Sequence, residues 1–145
     1  MSHPIPNLRM QSTMNSAFAP SAEYSAAQLA ILGGDAYTLA ASEIKKWPGY
    51  QPTPLAPLNG LAQQVRLGSI YYKDESGRFG LGSFKALGGA YAVSRQLIRE
   101  IKSRTGETKV GVEDLLSGKY RDIVKDITVT CATDGNHGRS VAWGA

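Results

Sequence analysis

Between Tyr71 and Ala90 the chain changes character twice. The run Tyr71-Tyr72-Lys73-Asp74-Glu75-Ser76-Gly77-Arg78-Phe79-Gly80-Leu81-Gly82-Ser83-Phe84-Lys85-Ala86-Leu87-Gly88-Gly89-Ala90 reads as a short strand, a glycine-punctuated loop and the opening turn of a helix. Ser83 is placed to cap that helix, which puts Lys85 in its first turn. The choice is unusual, because a helix N-terminus carries partial positive charge and favours anions. Pattern alone would make Lys85 a solvated side chain. Its neighbours argue otherwise: Phe84 is apolar, the flanking residues are small, and Gly88-Gly89 interrupts a helical pattern at about 1 kcal/mol per glycine. Something is expected to pack closely on that face, and a neutral amine, as nucleophile or Schiff base, would make sense of the lysine.

A second strand-to-helix junction follows. Ile127–Ala132 is a β-branched run expected to form a buried parallel strand, turning at residues 133–138 into a helix beginning near Arg139. Between the junctions lies the strongest amphipathic pattern in the chain. Leu87, Ala90, Tyr91, Ser94, Leu97, Ile98 and Ile101 recur at three and four, predicting one buried stripe. Arg95, Arg99 and Lys102 line a solvated face, and Glu100 stands four before Arg104. Strand, helix and strand in this order predict an α/β fold. A short helix is expected over Val112–Leu116 and a helical piece or turn over Lys119–Asp126.

Upstream, residues 1–20 are polar and proline-bearing, as a flexible arm would be. Ser25–Leu32 predicts a short helix stopped at Gly33-Gly34, and Asp35 caps a second one ending before Pro48. Trp47–Leu55 is too rich in proline for either regular element. Leu58–Val65 reads as helical, and Ser69–Lys73 as a strand. The chain therefore divides into an arm with short helices, 1–47, and a second part, 48–145.

At 145 residues, 42% hydrophobic and 19% charged, the chain can build one real core. Its net charge of +4 comes from scattered residues, with no basic run of five, so nucleic acid is not an expected partner. A single cysteine, Cys131, excludes an internal disulfide and fits a reducing compartment; its apolar surroundings predict burial. No apolar run approaches the roughly 18 residues that span a bilayer. Pro4, Pro6, Gln11, Ser12 and Asn15 interrupt any leader core, so a cytoplasmic location is expected.

Four blocks carry a resemblance. Lys73-Asp74-Glu75-Ser76, Arg78-Phe79-Gly80-Leu81, Phe84-Lys85-Ala86-Leu87-Gly88-Gly89 and Ala132-Thr133-Asp134-Gly135-Asn136-His137-Gly138-Arg139 resemble diaminopropionate ammonia-lyases. These are pyridoxal 5'-phosphate enzymes of the tryptophan-synthase-β-like fold, fold type II, and the likeness runs from about Pro48 to Ala145. It implies a three-layer αβα architecture with a mostly parallel sheet, of which this chain is the N-terminal part, and makes 48–145 a truncated catalytic domain. It also implies that the phosphate loop and the partner of the pyridine nitrogen lie beyond Ala145, that a small amino acid is the substrate, and that the whole enzyme is a homodimer.

Residue by residue, the resemblance makes Lys85 the Schiff-base lysine, with Phe84 beside the cofactor. The turn Asp134-Gly135-Asn136-His137 opens a helix, so its N–H groups can converge on an anion. In the superfamily this loop receives the substrate carboxylate, and its asparagine, here Asn136, bonds the cofactor's ring hydroxyl. A carboxylate in such a loop is costly without a cationic partner or a chemical role. The resemblance implies that role for Asp134, as a second base facing the substrate α-carbon from the side opposite Lys85. Both stereoisomers of 2,3-diaminopropionate would then undergo α,β-elimination to pyruvate and ammonia. His137 could titrate near neutrality or simply pack. Thr53 is a weaker candidate near the site. Asp74 and Glu75 point to opposite faces of a strand end and cannot pair as acid and base. Gly82-Ser83 departs from the Asn-Ala expected in this branch, which keeps a serine or threonine dehydratase as a rival reading, and the short length beside the family's enzymes keeps a non-catalytic truncated product as another.

Overall fold

The computed structural model describes residues 13–17 and 23–145, so most of the expected N-terminal arm lies outside the described residues. Seven α-helices, a 3-10 turn at Arg78–Gly80 and one small sheet are formed among them. α1 spans Ala26–Leu32 and opens with a reciprocal capping box: the Ser25 hydroxyl accepts from the Gln28 N–H, and Gln28 accepts from the Ser25 N–H. α2 spans Gly34–Ile44. Gly33 ends α1 and starts α2, so Asp35 is not the cap; it lies in the first turn, where a carboxylate suits the helix dipole.

β1 (Leu55–Pro57) and β2 (Tyr71–Lys73) pair antiparallel around α3 (Asn59–Gln64), with Leu55 opposite Lys73 and Pro57 opposite Tyr71. Bonds from Leu58 N–H to the Ile70 carbonyl (2.8 Å) and from Asp74 N–H to the Pro54 carbonyl (2.9 Å) extend the ladder at both ends. Leu55 thus begins a strand, although the prolines before it suggest none. Antiparallel pairing needs no flanking strand here, and Pro57 at the margin gives up no ladder donor that the short pair requires.

α4, Lys85–Thr105, is the backbone of the molecule. Its lower half packs Ile98 and the wholly buried Ile101 against Val110 and Tyr120, with Leu115, Ile123 and Val124 around them. These come from α5 (Val112–Leu116) and α6 (Arg121–Val124) and the loops beside them. Truncating a core isoleucine such as Ile101 to alanine typically costs about 2–5 kcal/mol. The buried face is rotated from the expected stripe. Ala90, Ser94, Ile98 and Ile101 of that stripe are buried, but Leu87, Tyr91 and Leu97 are half-buried, and Ala86, Gly89 and Val93 are buried in their place. The cause is α7, Asn136–Gly144, which lies along the small-residue side of α4.

That approach is close. A Cβ at Gly89 would stand 2.5 Å from the Ser140 Oγ, and one at Gly144 would stand 2.6 Å from the Ala90 Cα. Gly88 is open, so only the second of the paired glycines answers to packing. Trp47, Phe79 and Trp143 close the far end, with Phe79 and Trp143 stacked at 4.9 Å.

The strand expected over 127–132 is not formed. Among the described residues the sheet is two-stranded and antiparallel. The 127–132 run is neither helix nor strand, and Cys131 is exposed rather than buried. A β-branched run becomes a strand only where a neighbouring backbone satisfies its N–H and C=O groups, and β1 and β2 satisfy each other. Among the described residues no helix is long and apolar enough to cross a membrane.

Candidate active site

Lys85 is the first residue of α4, as expected, but the cap is shared across Ser83 and Phe84. Phe84 holds the cap position without a side-chain bond, and the Ser83 hydroxyl accepts from the Lys85 N–H at 3.0 Å. The lysine side chain, one-third exposed, crosses to the 133–136 turn. Its Nζ lies 3.1 Å from one carboxylate oxygen of Asp134 and 3.3 Å from the other. Asp134 is largely exposed, so its carboxylate needs no cationic partner to offset burial; its partner is nonetheless Lys85. Its ammonium is the main reason the Asp134 carboxyl is held below the ordinary carboxylate range, with a smaller contribution from His137.

The pair stands at an open cavity of about 560 Å³, whose wall includes Phe84, Gly88, Thr133 and His137. Phe84 is largely exposed, so its ring is available to a ligand. No atom lies within 4 Å of the space beside Gly88, which leaves that helix face bare. Gly135 and Asn136 are not part of this wall. Asn136 is the exposed first residue of α7, and Gly135 precedes it with φ 126°, a conformation that side chains rarely adopt. α7 begins three residues before the predicted Arg139 because Thr133 caps it: the Thr133 hydroxyl accepts from Gly135 N–H at 3.0 Å and Gly138 N–H at 2.6 Å. Thr53, in contrast, is absent from the Lys85 cavity wall and joins a separate cluster.

That cluster is built on Arg78, which is buried. Its guanidinium donates to both oxygens of Glu75 (2.8 and 2.9 Å), to the Gln51 carbonyl (2.8 Å) and to the Thr53 hydroxyl (3.1 Å). Thr53 in turn donates to Glu75. The guanidinium is the leading cause that brings the Glu75 carboxyl down to about 2. Asp74 separately accepts from the Ser76 N–H. Both carboxylates are thus structural, consistent with their pointing apart.

Sequence reasoning misses two supporting residues. The buried Ser140 hydroxyl donates to the Lys85 carbonyl at 2.7 Å and accepts from the Ala90 N–H at 3.2 Å, tying α7 to the first turn of α4. A lone serine inside a helix gives no sequence signal for this. Thr133 does give one, since a threonine just ahead of a helical run is a common cap.

The residues present suit an aldehyde cofactor: a primary amine at a cavity mouth, an exposed aromatic ring beside it, and an open helix face at Gly88. Lys85 would hold the aldehyde and Phe84 would flank the ring. Comparison with known proteins points the same way. The chain is 42% identical over 119 residues to a diaminopropionate ammonia-lyase of Salmonella typhimurium, covering 82% of this chain and 29% of that one. It is 41% identical to the enzyme of that name from Escherichia coli K12, covering 70% and 24%. It superposes on the crystal structure of the Escherichia coli diaminopropionate ammonia lyase in complex with D-serine with a TM-score of 0.54 at 38% identity, covering 74% of this chain and 26% of that chain. The chain thus spans about a quarter of the length of these relatives. Residues 46–145 match the family described as Pyridoxal-phosphate dependent enzyme. On that match and the fold likeness, the chain belongs to the pyridoxal-phosphate dependent enzymes, fold type II.

Proposed function

We propose that this chain carries the lysine side of the active site of a diaminopropionate ammonia-lyase. The observation that carries the reading is the Lys85–Asp134 contact at 3.1 Å on an open cavity, within sequence blocks shared with enzymes of that name. When bound, the cofactor supplies an aldehyde for attachment and a conjugated ring that delocalises the electron pair left at the substrate α-carbon. Lys85 and Asp134 act as the two bases. When the ion pair parts to admit the α-carbon, the Lys85 ammonium gives up a proton to water, so that a neutral amine faces one side of it and the carboxylate the other. The Lys85 contact holds the Asp134 carboxyl below its ordinary range and weakens it as a base; parting of the pair restores its basicity. Loss of the α-proton expels the β-amino group as ammonia. Water then hydrolyses the remaining enamine, so that one diaminopropionate and one water give one pyruvate and two ammonia.

His137, on the cavity wall, and the N–H groups at the start of α7 receive the substrate carboxylate. Asn136 serves the cofactor hydroxyl in the same proposal, which also includes assembly with a second copy and a reducing, cytoplasmic setting. The D-serine held by the Escherichia coli relative shows that a small β-hydroxy amino acid can enter that protein's crystal. D-Serine is therefore the natural comparator for diaminopropionate.

The test is covalent. Purified chain is incubated with pyridoxal 5'-phosphate, reduced with borohydride, digested and read by mass spectrometry. A pyridoxyl group on Lys85, lost in Lys85→Ala, is the expected result. Labelling spread over the other lysines would overturn the reading.

A further inference from the structure

We propose that Arg78 is a positioning residue for Lys85. The inference rests on the reading of Lys85 as the functional amine. Arg78 is buried, far along the loop from the cavity, and its planar fork satisfies three acceptors from two chain segments: Glu75 in its own loop, and Gln51 and Thr53 ahead of β1. The Tyr50 ring lies 5.5 Å from the guanidinium carbon, adding a cation–π contact. One side of the loop is thus fixed to the sheet.

The other side is fixed to α7. The turn Arg78–Gly80 closes with Leu81 N–H on the Arg78 carbonyl at 2.9 Å. The Leu81 carbonyl then accepts from Arg139 of α7 at 3.2 Å, and Phe79 stacks on Trp143 of the same helix. Phe79 has φ 49° between these anchors, a left-handed conformation that a bulky side chain seldom takes unless its surroundings impose it. Ser83 and Lys85 follow directly. The position from which Lys85 reaches Asp134 is therefore set where the loop leaves Arg78. Lysine cannot replace a guanidinium that bonds a carboxylate with two parallel donors and a carbonyl with a third.

Competitive acetylation with acetic anhydride tests this without cofactor or turnover, on wild type and Arg78→Lys, with Lys102 and Lys125 as internal references. Arg78→Lys is expected to raise Lys85 reactivity about threefold, the size of effect that losing a half-exposed ion pair produces, while both references stay unchanged. A purely structural role would move the references as well or leave Lys85 alone, and unchanged Lys85 reactivity overturns the proposal. Should Arg78→Lys lose the helical circular-dichroism signal, Thr53→Val decides instead, because it removes one hydroxyl, which accepts from Arg78 and donates to Glu75, and leaves the guanidinium in place: a selective rise at Lys85 supports the inference and none overturns it. A wild-type chain that takes no pyridoxyl group at Lys85 would sink the proposed function, while the acetylation contrast would still decide the place of Arg78.

Discussion

Ser140 stands where a side chain on Gly89 would have to go. Its Oγ would lie 2.5 Å from a Cβ at Gly89, and that same hydroxyl bonds the Lys85 carbonyl at 2.7 Å. Closeness of α4 and α7 and the anchoring of the lysine turn are thus one feature.

Gly89→Ala must therefore push α7 away or displace Ser140. Overpacking of this kind costs roughly 1–3 kcal/mol, of which the better helix propensity of alanine returns about 1 kcal/mol. Thermal melting is expected to fall for Gly89→Ala. Gly88→Ala meets nothing within 4 Å and should gain instead, by about 0.4–1 kcal/mol. Equal shifts for the two variants would contradict the packing described.

Thr133→Val keeps the shape of the side chain but removes the acceptor for Gly135 and Gly138. A lost helix cap typically costs about 0.5–2 kcal/mol. Amide hydrogen exchange at residues 135–138 should accelerate, while exchange in the lower half of α4 stays constant.

Glu75 should make the chain acid-sensitive. Its carboxyl is depressed from 4.5 to about 2, chiefly by Arg78, so it binds protons more readily in the unfolded chain. The stability it contributes is complete above about pH 4.5 and is lost as pH falls toward 2. Asp74, Glu113 and Asp134 are lowered as well and share the same acid limb. The difference between wild type and Glu75→Gln in melting temperature against pH isolates the Glu75 part: it should be large at pH 6 and shrink toward pH 2.

Asp134→Asn separates the two bases. Where diaminopropionate turnover is measured, the D-isomer rate should drop by about a hundredfold or more, the usual weight of a positioned base, with the L-isomer rate largely kept. Retention of the D rate with loss of the L rate would reverse the assignment.

Much of this is legible in order along the chain because it depends on local rules. The lysine at the head of an amphipathic helix, the short helix stopped at Gly33-Gly34, the short helix Val112–Leu116 and the glycine-led turn before α7 all follow from side-chain period, caps and breakers, which act over a few residues. The family blocks can be read the same way, because each is contiguous.

What the tertiary structure decided depends on residues far apart. Nothing in the sequence places the amine of Lys85 on the carboxylate of Asp134, joins Arg78 to Thr53, or turns the buried face of α4 toward Ala86 and Gly89. The same holds for residues 127–132: their β-branched composition favours a strand, but pairing needs a neighbour in space, and the described residues offer none. Local sequence fixes what each segment can be, because propensity and capping are short-range energies. Which segments meet is decided by packing and hydrogen bonding between them, and the candidate site exists only at that level.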